Sequence, residues 1–112
     1  MTAVYKILPE ALWREAQTAG VFRGSEFDRR DGYIHFSTAE QAVETAAKHF
    51  AGQSGLVLLE VDADTLGDTL KWKPSRGGAM FPHLYAPLDV KHVRRADPLP
   101  LGADGRHVFP AL

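Results

Sequence analysis

Two pairs of polar residues, each set among aromatic neighbours, carry the chemical interest of this chain. His35 and Ser37 stand two apart in Tyr33-Ile34-His35-Phe36-Ser37-Thr38, and His83 and Tyr85 stand two apart in Phe81-Pro82-His83-Leu84-Tyr85-Ala86-Pro87-Leu88. A single histidine in such a segment reads as a partly buried ring satisfied by a backbone carbonyl. Two that meet across one cleft offer neutral donors and acceptors between aromatic walls, which suits a nucleotide or another flat polar ligand. Ser37 as a nucleophile with His35 as its base is the hydrolase reading. The two share one strand and one side-chain parity, however, and no GxSxG elbow is present. Ser37 followed three residues later by Glu40 fits instead a capping box at a helix start, a place where backbone donors favour an anion. Lys71, Lys73 and Arg76 beside Gly77-Gly78 read either as a basic, mobile phosphate-binding group or as an ordinary solvated strand end. Trp13 and Trp72 read as core or cleft wall. The five histidines, His35, His49, His83, His92 and His107, form no HxH or HxxxH pair, so their spacing argues against a metal site.

The elements that hold these residues follow from periodicity. Val4 to Leu8 has strand composition, and Pro9 then opens a helix in which Leu12, Ala16 and Ala19 recur at helical spacing before Gly20. Residues 21–32 are polar and read as a surface loop. Asp31-Gly32 makes a turn into the short strand around His35. Val43, Ala46, Ala47 and Phe50 then predict an amphipathic helix over 38–50. Leu56 to Val61 is nearly continuous in apolar residues, as a strand buried on both faces would be. Asp62 to Gly67 reads as a capped helical turn, Thr69 to Lys73 as a strand, Phe81 to Leu88 as a stiff extended segment, and Val90 to Arg95 as a further strand. A short strand is expected around His107 to Phe109. Two main helices in the first half and most strands in the second make the fold α+β, with an antiparallel or mixed sheet.

The whole chain bounds the function. Its 112 residues suffice for a single domain, 1–112, with one core. Thirteen basic against fourteen acidic residues give a net charge of −1, which lends no support to an RNA partner or an anionic membrane surface. With no cysteine, disulfides, thiolate metal sites and a cysteine nucleophile are excluded. No basic, apolar leader or membrane-length apolar run is present, so the expectation is a cytoplasmic monomer with no membrane partner.

Gly32 to Ser37 together with Phe81 to Leu88, and Trp13 and Gly20 in the first helix, resemble the bacterial domain of unknown function 952 over nearly the whole chain. That family is similar to the ADP-ribosyltransferase-like fold, a split mixed or antiparallel sheet whose enzymes grip NAD in a cleft. The stretch Tyr33 to Thr38 looks like the corresponding strand of the RNA 2′-phosphotransferase branch. The resemblance implies a first-strand histidine, a second-strand polar residue and a later acidic residue that bind and activate the dinucleotide. The second-strand position falls at or beside His35. The first-strand position is Lys6, the acidic position after Trp72 is Lys73, and the glycine usual after Tyr85 is Ala86. An ammonium cannot act as a glutamate does, whereas two lysines favour phosphate. The expectation is thus that His35 and His83 carry any catalysis, while Lys6, Ser37, Trp72, Lys73 and Tyr85 line a nucleotide site. NAD would be a substrate rather than a tightly bound cofactor, and ADP-ribosyl or 2′-phosphoryl transfer the reaction. The alternative is a non-catalytic binding module that kept the fold and lost its acid, with Glu60 and Asp62 the nearest carboxylates in sequence.

Overall fold

The central strand is β4, Leu56–Asp62, which pairs antiparallel with β1, Ala3–Pro9, on one side and with β8, Val93–Pro98, on the other. The computed structural model describes residues 2–112. Alternate residues of β4 enter two different cores. Val57, Leu59 and Val61 join Val4, Leu8, Trp13 and Phe22 on one face, and Leu56 and Leu58 join Tyr5, Ile7 and Ala42 on the other. An uninterrupted apolar run is what a strand covered on both faces requires.

Helix α1, Glu10–Ala19, starts at Pro9 and ends at Gly20, whose φ of 83° is a left-handed cap open to glycine. It buries Trp13 and Ala16 against the first core. Helix α3, Ala39–His49, buries Ala42 and Ala46 against the second. Its N-cap is Thr38 with Gln41, not Ser37 with Glu40: Thr38 Oγ1 accepts from the Gln41 N–H at 3.2 Å, and Gln41 Oε1 accepts from the Thr38 N–H at 3.0 Å. The apolar stripe is rotated accordingly, and Val43 points to solvent.

The run 21–32 is not a loop. It holds the two-residue strand β2, Val21–Phe22, and the helix α2, Glu26–Asp31. The helix is opened by a capping box between Ser25 and Asp28 and closed by Gly32 at φ 89°. Its polar composition hid it, because one short helix exposes most of its residues and buries few.

A second three-stranded antiparallel sheet has the order β3, Ile34–His35, then β6, Met80–Leu84, then β5, Leu70–Pro74. The strand β2 pairs with β7, Leu88–Asp89. Residues 34–37 link the two larger sheets. Ile34 and His35 pair with Leu84 and His83, Phe36 donates its N–H to the Pro82 carbonyl, and Ser37 exchanges both backbone hydrogen bonds with Tyr5 of β1. Val90–His92 is a short helical turn, so β8 begins three residues later than its sequence suggests. Around His107 only an isolated bridge to Leu101 forms.

A candidate ligand cleft around a buried carboxylate

A cleft of about 730 Å³ opens where the two sheets diverge. Its floor is β1 and residues 35–37, one wall is α2 with Tyr33, another is α3, and the β5–β6 turn with Phe81 and His83 closes the last side. Lys6, His35, Ser37 and His83, four of the seven residues expected in a site, line it together.

Beneath the cleft lies Asp28, only 1 % exposed. Its carboxylate takes the Lys6 ammonium at 2.8 and 2.9 Å, His35 Nδ1 at 2.6 Å, and the backbone N–H groups of Ser25 and His35 at 2.9 and 3.2 Å. Burial alone would raise the Asp28 pKa, but the hydrogen bond from His35 and the Lys6 charge outweigh it and hold the group well below the usual carboxylate range. Burial pushes the Lys6 ammonium down, against the pull of Asp28. The same carboxylate closes the capping box of α2, so the helix start and the site share one side chain. With Nδ1 directed at Asp28, His35 presents Nε2 to Asp31 Oδ2 at 3.0 Å.

Four further rings extend from His35. Phe27 stacks on it at 4.8 Å and Tyr33 lies tilted at 4.6 Å. Tyr33 stacks in turn on His83 at 4.0 Å and meets Tyr85 at 5.2 Å. His83 is 3 % exposed, and its Nδ1 is buried without a hydrogen-bond partner. Burial, then the neighbouring His35, pushes its pKa down, so it is a neutral ring at pH 7. Tyr85 stands at the outer end of this row, 43 % exposed and outside the cleft lining.

Two more expected site residues lie outside the cleft. Lys73 and Trp72 face Phe81 and Pro82 across the β5–β6 ladder. Directly opposed residues project to the same side of a sheet, so Lys73 shares the face of Phe81 but ends in solvent, and Trp72 points to the opposite face. There Trp72 borders a separate, shallower hollow with Thr2 and Asp64. Neither carboxylate near in sequence compensates: Glu60 accepts from the Tyr5 hydroxyl at 2.9 Å, and Asp62 caps the turn that follows β4. Ser37 is no cap; its hydroxyl lies 3.1 Å from Thr45 Oγ1. Sequence reasoning missed Asp28, Asp31 and Tyr33, although Ser25-Glu26-Phe27-Asp28 is itself a capping-box pattern that marks a helix start. Among the described residues no group of three or more histidine and acidic side chains is arranged to hold a metal ion, and no helix is long and apolar enough to cross a membrane.

These features define an α+β protein of antiparallel sheets whose cleft is built over a lysine–aspartate–histidine cluster. The chain belongs to the family described as "Protein of unknown function (DUF952)", which matches residues 7–96. It is similar to protein CC0527 from Caulobacter crescentus, a structural genomics target. The crystal structure of CC0527 is 56 % identical, covers 96 % of this chain and 94 % of that one, and has a TM-score of 0.92. Its solution NMR structure is 57 % identical over 95 % and 91 % of the two chains, with a TM-score of 0.86. No curated protein matches.

Proposed function

We propose that the cleft binds a phosphorylated nucleotide of the NAD or ADP-ribose kind, in the manner of the ADP-ribosyltransferase-like fold. The observation that carries the reading is the unpartnered Nδ1 of buried His83 in a cleft lined in part by the rings of Tyr5, Phe27, Tyr33, Phe36 and Phe81. A buried polar atom without a partner costs about 1–3 kcal/mol, and a ligand amide or hydroxyl placed against it removes that cost. The aromatic walls and a volume in the range of small-molecule sites support the same class. Asp31 favours transfer chemistry over a purely binding module, because it is a part-exposed carboxylate held against His35 Nε2. In that role it takes the part of the acid absent at Lys73, while Asp28 fixes the His35 ring from below.

The test is an NMR titration of labelled protein with NAD, ADP-ribose and a 2′-phosphorylated nucleotide. Saturable shifts are expected in the amides of residues 33–40 and 81–86 and in the imidazoles of His35 and His83. Absence of shifts at millimolar ligand refutes nucleotide binding. Given binding, turnover that is lost in Asp31→Asn while affinity persists supports the transferase reading; binding without turnover supports the module.

A further inference from the structure

We propose that the end of the cleft beside α3 is an oxyanion subsite, formed by Arg76, Ser37 and Thr45, in which Glu44 is the counter-ion that a ligand's phosphate displaces. The proposal rests on the nucleotide reading above and assigns which end of the ligand goes where. Among the described residues, the lysine and arginine side chains that line the cleft are Lys6 and Arg76. Lys6 is committed to Asp28, both buried, and Lys71 and Lys73 stand outside. Among the described residues, Arg76 is therefore the lysine or arginine within reach of a ligand.

Its surroundings suit an exchangeable anion. Nη2 lies 3.3 Å from Thr45 Oγ1, whose hydroxyl is 3.1 Å from that of Ser37, so three donor groups from three elements converge. A tetrahedral phosphate accepts from several directions at once, and the guanidinium fork matches it. The present partner is a weak one. Glu44 Oε1 is 2.9 Å from Nε, yet Nε is buried with no aligned hydrogen bond, and the Glu44 side chain is 59 % exposed. A pair with one member in solvent is readily exchanged. The guanidinium also rests on the Phe81 ring at 4.9 Å, which holds its plane without using its donors. Arg76 sits in a turn whose next two residues, Gly77 and Gly78, have φ of 66° and 80°, so the backbone there tolerates the small shift that releasing Glu44 requires. His49 lines the same end; burial and then the Arg76 charge keep it neutral and able to donate.

The experiment compares AMP with adenosine on wild type, Arg76→Gln and Glu44→Gln. Arg76→Gln is expected to weaken AMP roughly tenfold or more, the loss of one charge-assisted contact, and to leave adenosine unchanged. Glu44→Gln is expected to tighten AMP a few-fold, a gain that a merely structural role for Arg76 does not produce. Equal affinity for AMP and adenosine, both indifferent to Arg76→Gln, overturns the subsite and leaves the nucleotide cleft standing. If neither ligand binds, the nucleotide reading fails, and millimolar pyrophosphate decides the subsite alone. Shifts of the Arg76 Nε–H and the Thr45 amide in wild type, with the Thr45 shift lost in Arg76→Gln, uphold it, and no shift overturns it.

Discussion

Replacing Asp28 by asparagine removes one negative charge and almost no volume, which makes it the cleanest probe of the buried cluster. The amide oxygen can still accept from the Ser25 N–H, so the helix cap is spared, and the loss falls on His35 and, as the loss of a counter-charge, on Lys6. Two magnitudes bound the effect. At 2.8 Å and an effective dielectric of 20, the lost attraction is about 6 kcal/mol. A stranded lysine, however, escapes by shedding its proton, and the unfolded chain titrates near 10.5. Keeping Lys6 neutral at pH 7 then costs at most about 5 kcal/mol, and at pH 9 about 2 kcal/mol. The smaller figure governs, and it agrees with the 3–5 kcal/mol typical of breaking a buried pair. The sign follows. In the variant the unfolded state binds a proton that the folded state does not, so its stability rises with pH through the alkaline range. Urea unfolding followed by tryptophan fluorescence reports this, since Trp13 is buried. Asp28→Asn should lose about 3–5 kcal/mol at pH 7 and substantially less at pH 9. Adding Lys6→Met should restore at least about 2 kcal/mol, because an apolar side chain needs no partner. A loss under about 1 kcal/mol, or an equal loss at both pH values, refutes the claim that a charged Lys6 depends on Asp28.

Thr38→Ala should destabilise by about 1 kcal/mol, whereas Glu40→Ala should be near neutral; equal effects in urea melts would contradict the Thr38–Gln41 cap. His83, with its folded pKa pushed down, should make the protein acid-sensitive. Below about pH 6.5 the unfolded chain takes up a proton that the folded ring refuses, so stability falls as pH falls until the folded-state pKa is reached. In His83→Gln, the dependence of the urea midpoint on pH between 5 and 7 should flatten, and an unchanged slope would assign it to another group.

Much of the frame was legible because it depends on long apolar patterns. β4 announced itself as a strand buried on both faces, and α1 and α3 appeared within one or two residues of their observed bounds. Tertiary choices were less accessible. Whether Ser37 or Thr38 caps α3 turns on one residue of phase, and the choice of Thr38 frees the Ser37 hydroxyl for Thr45. The position of Trp72 turns on strand parity, which becomes readable only once β5 is known to pair with β6 so that Trp72 meets Pro82. The centre of the site was least visible. Lys6 entered the sequence reading through the family resemblance, as the first-strand position, but its partner is 22 residues away in a stretch of charged side chains, where only the capping-box spacing to Ser25 sets the buried Asp28 apart from its exposed neighbours Arg29 and Arg30.

The way the strands are shared between the two halves of the chain also bears on how it comes into being. β1, β2 and β3 emerge first from synthesis, yet their ladder partners β4, β7 and β6 all lie beyond residue 55. Among the described residues of the first half, the strands touch through the Tyr5–Ser37 bridge alone. β4 with β8, and β5 with β6, by contrast pair among themselves. The late-made half is thus the template on which the early-made half condenses. Until it appears, α1 and α3 have little sheet to cover, and such long-range pairing is slow. The cleft draws a wall from each half, so it exists only when both are in place.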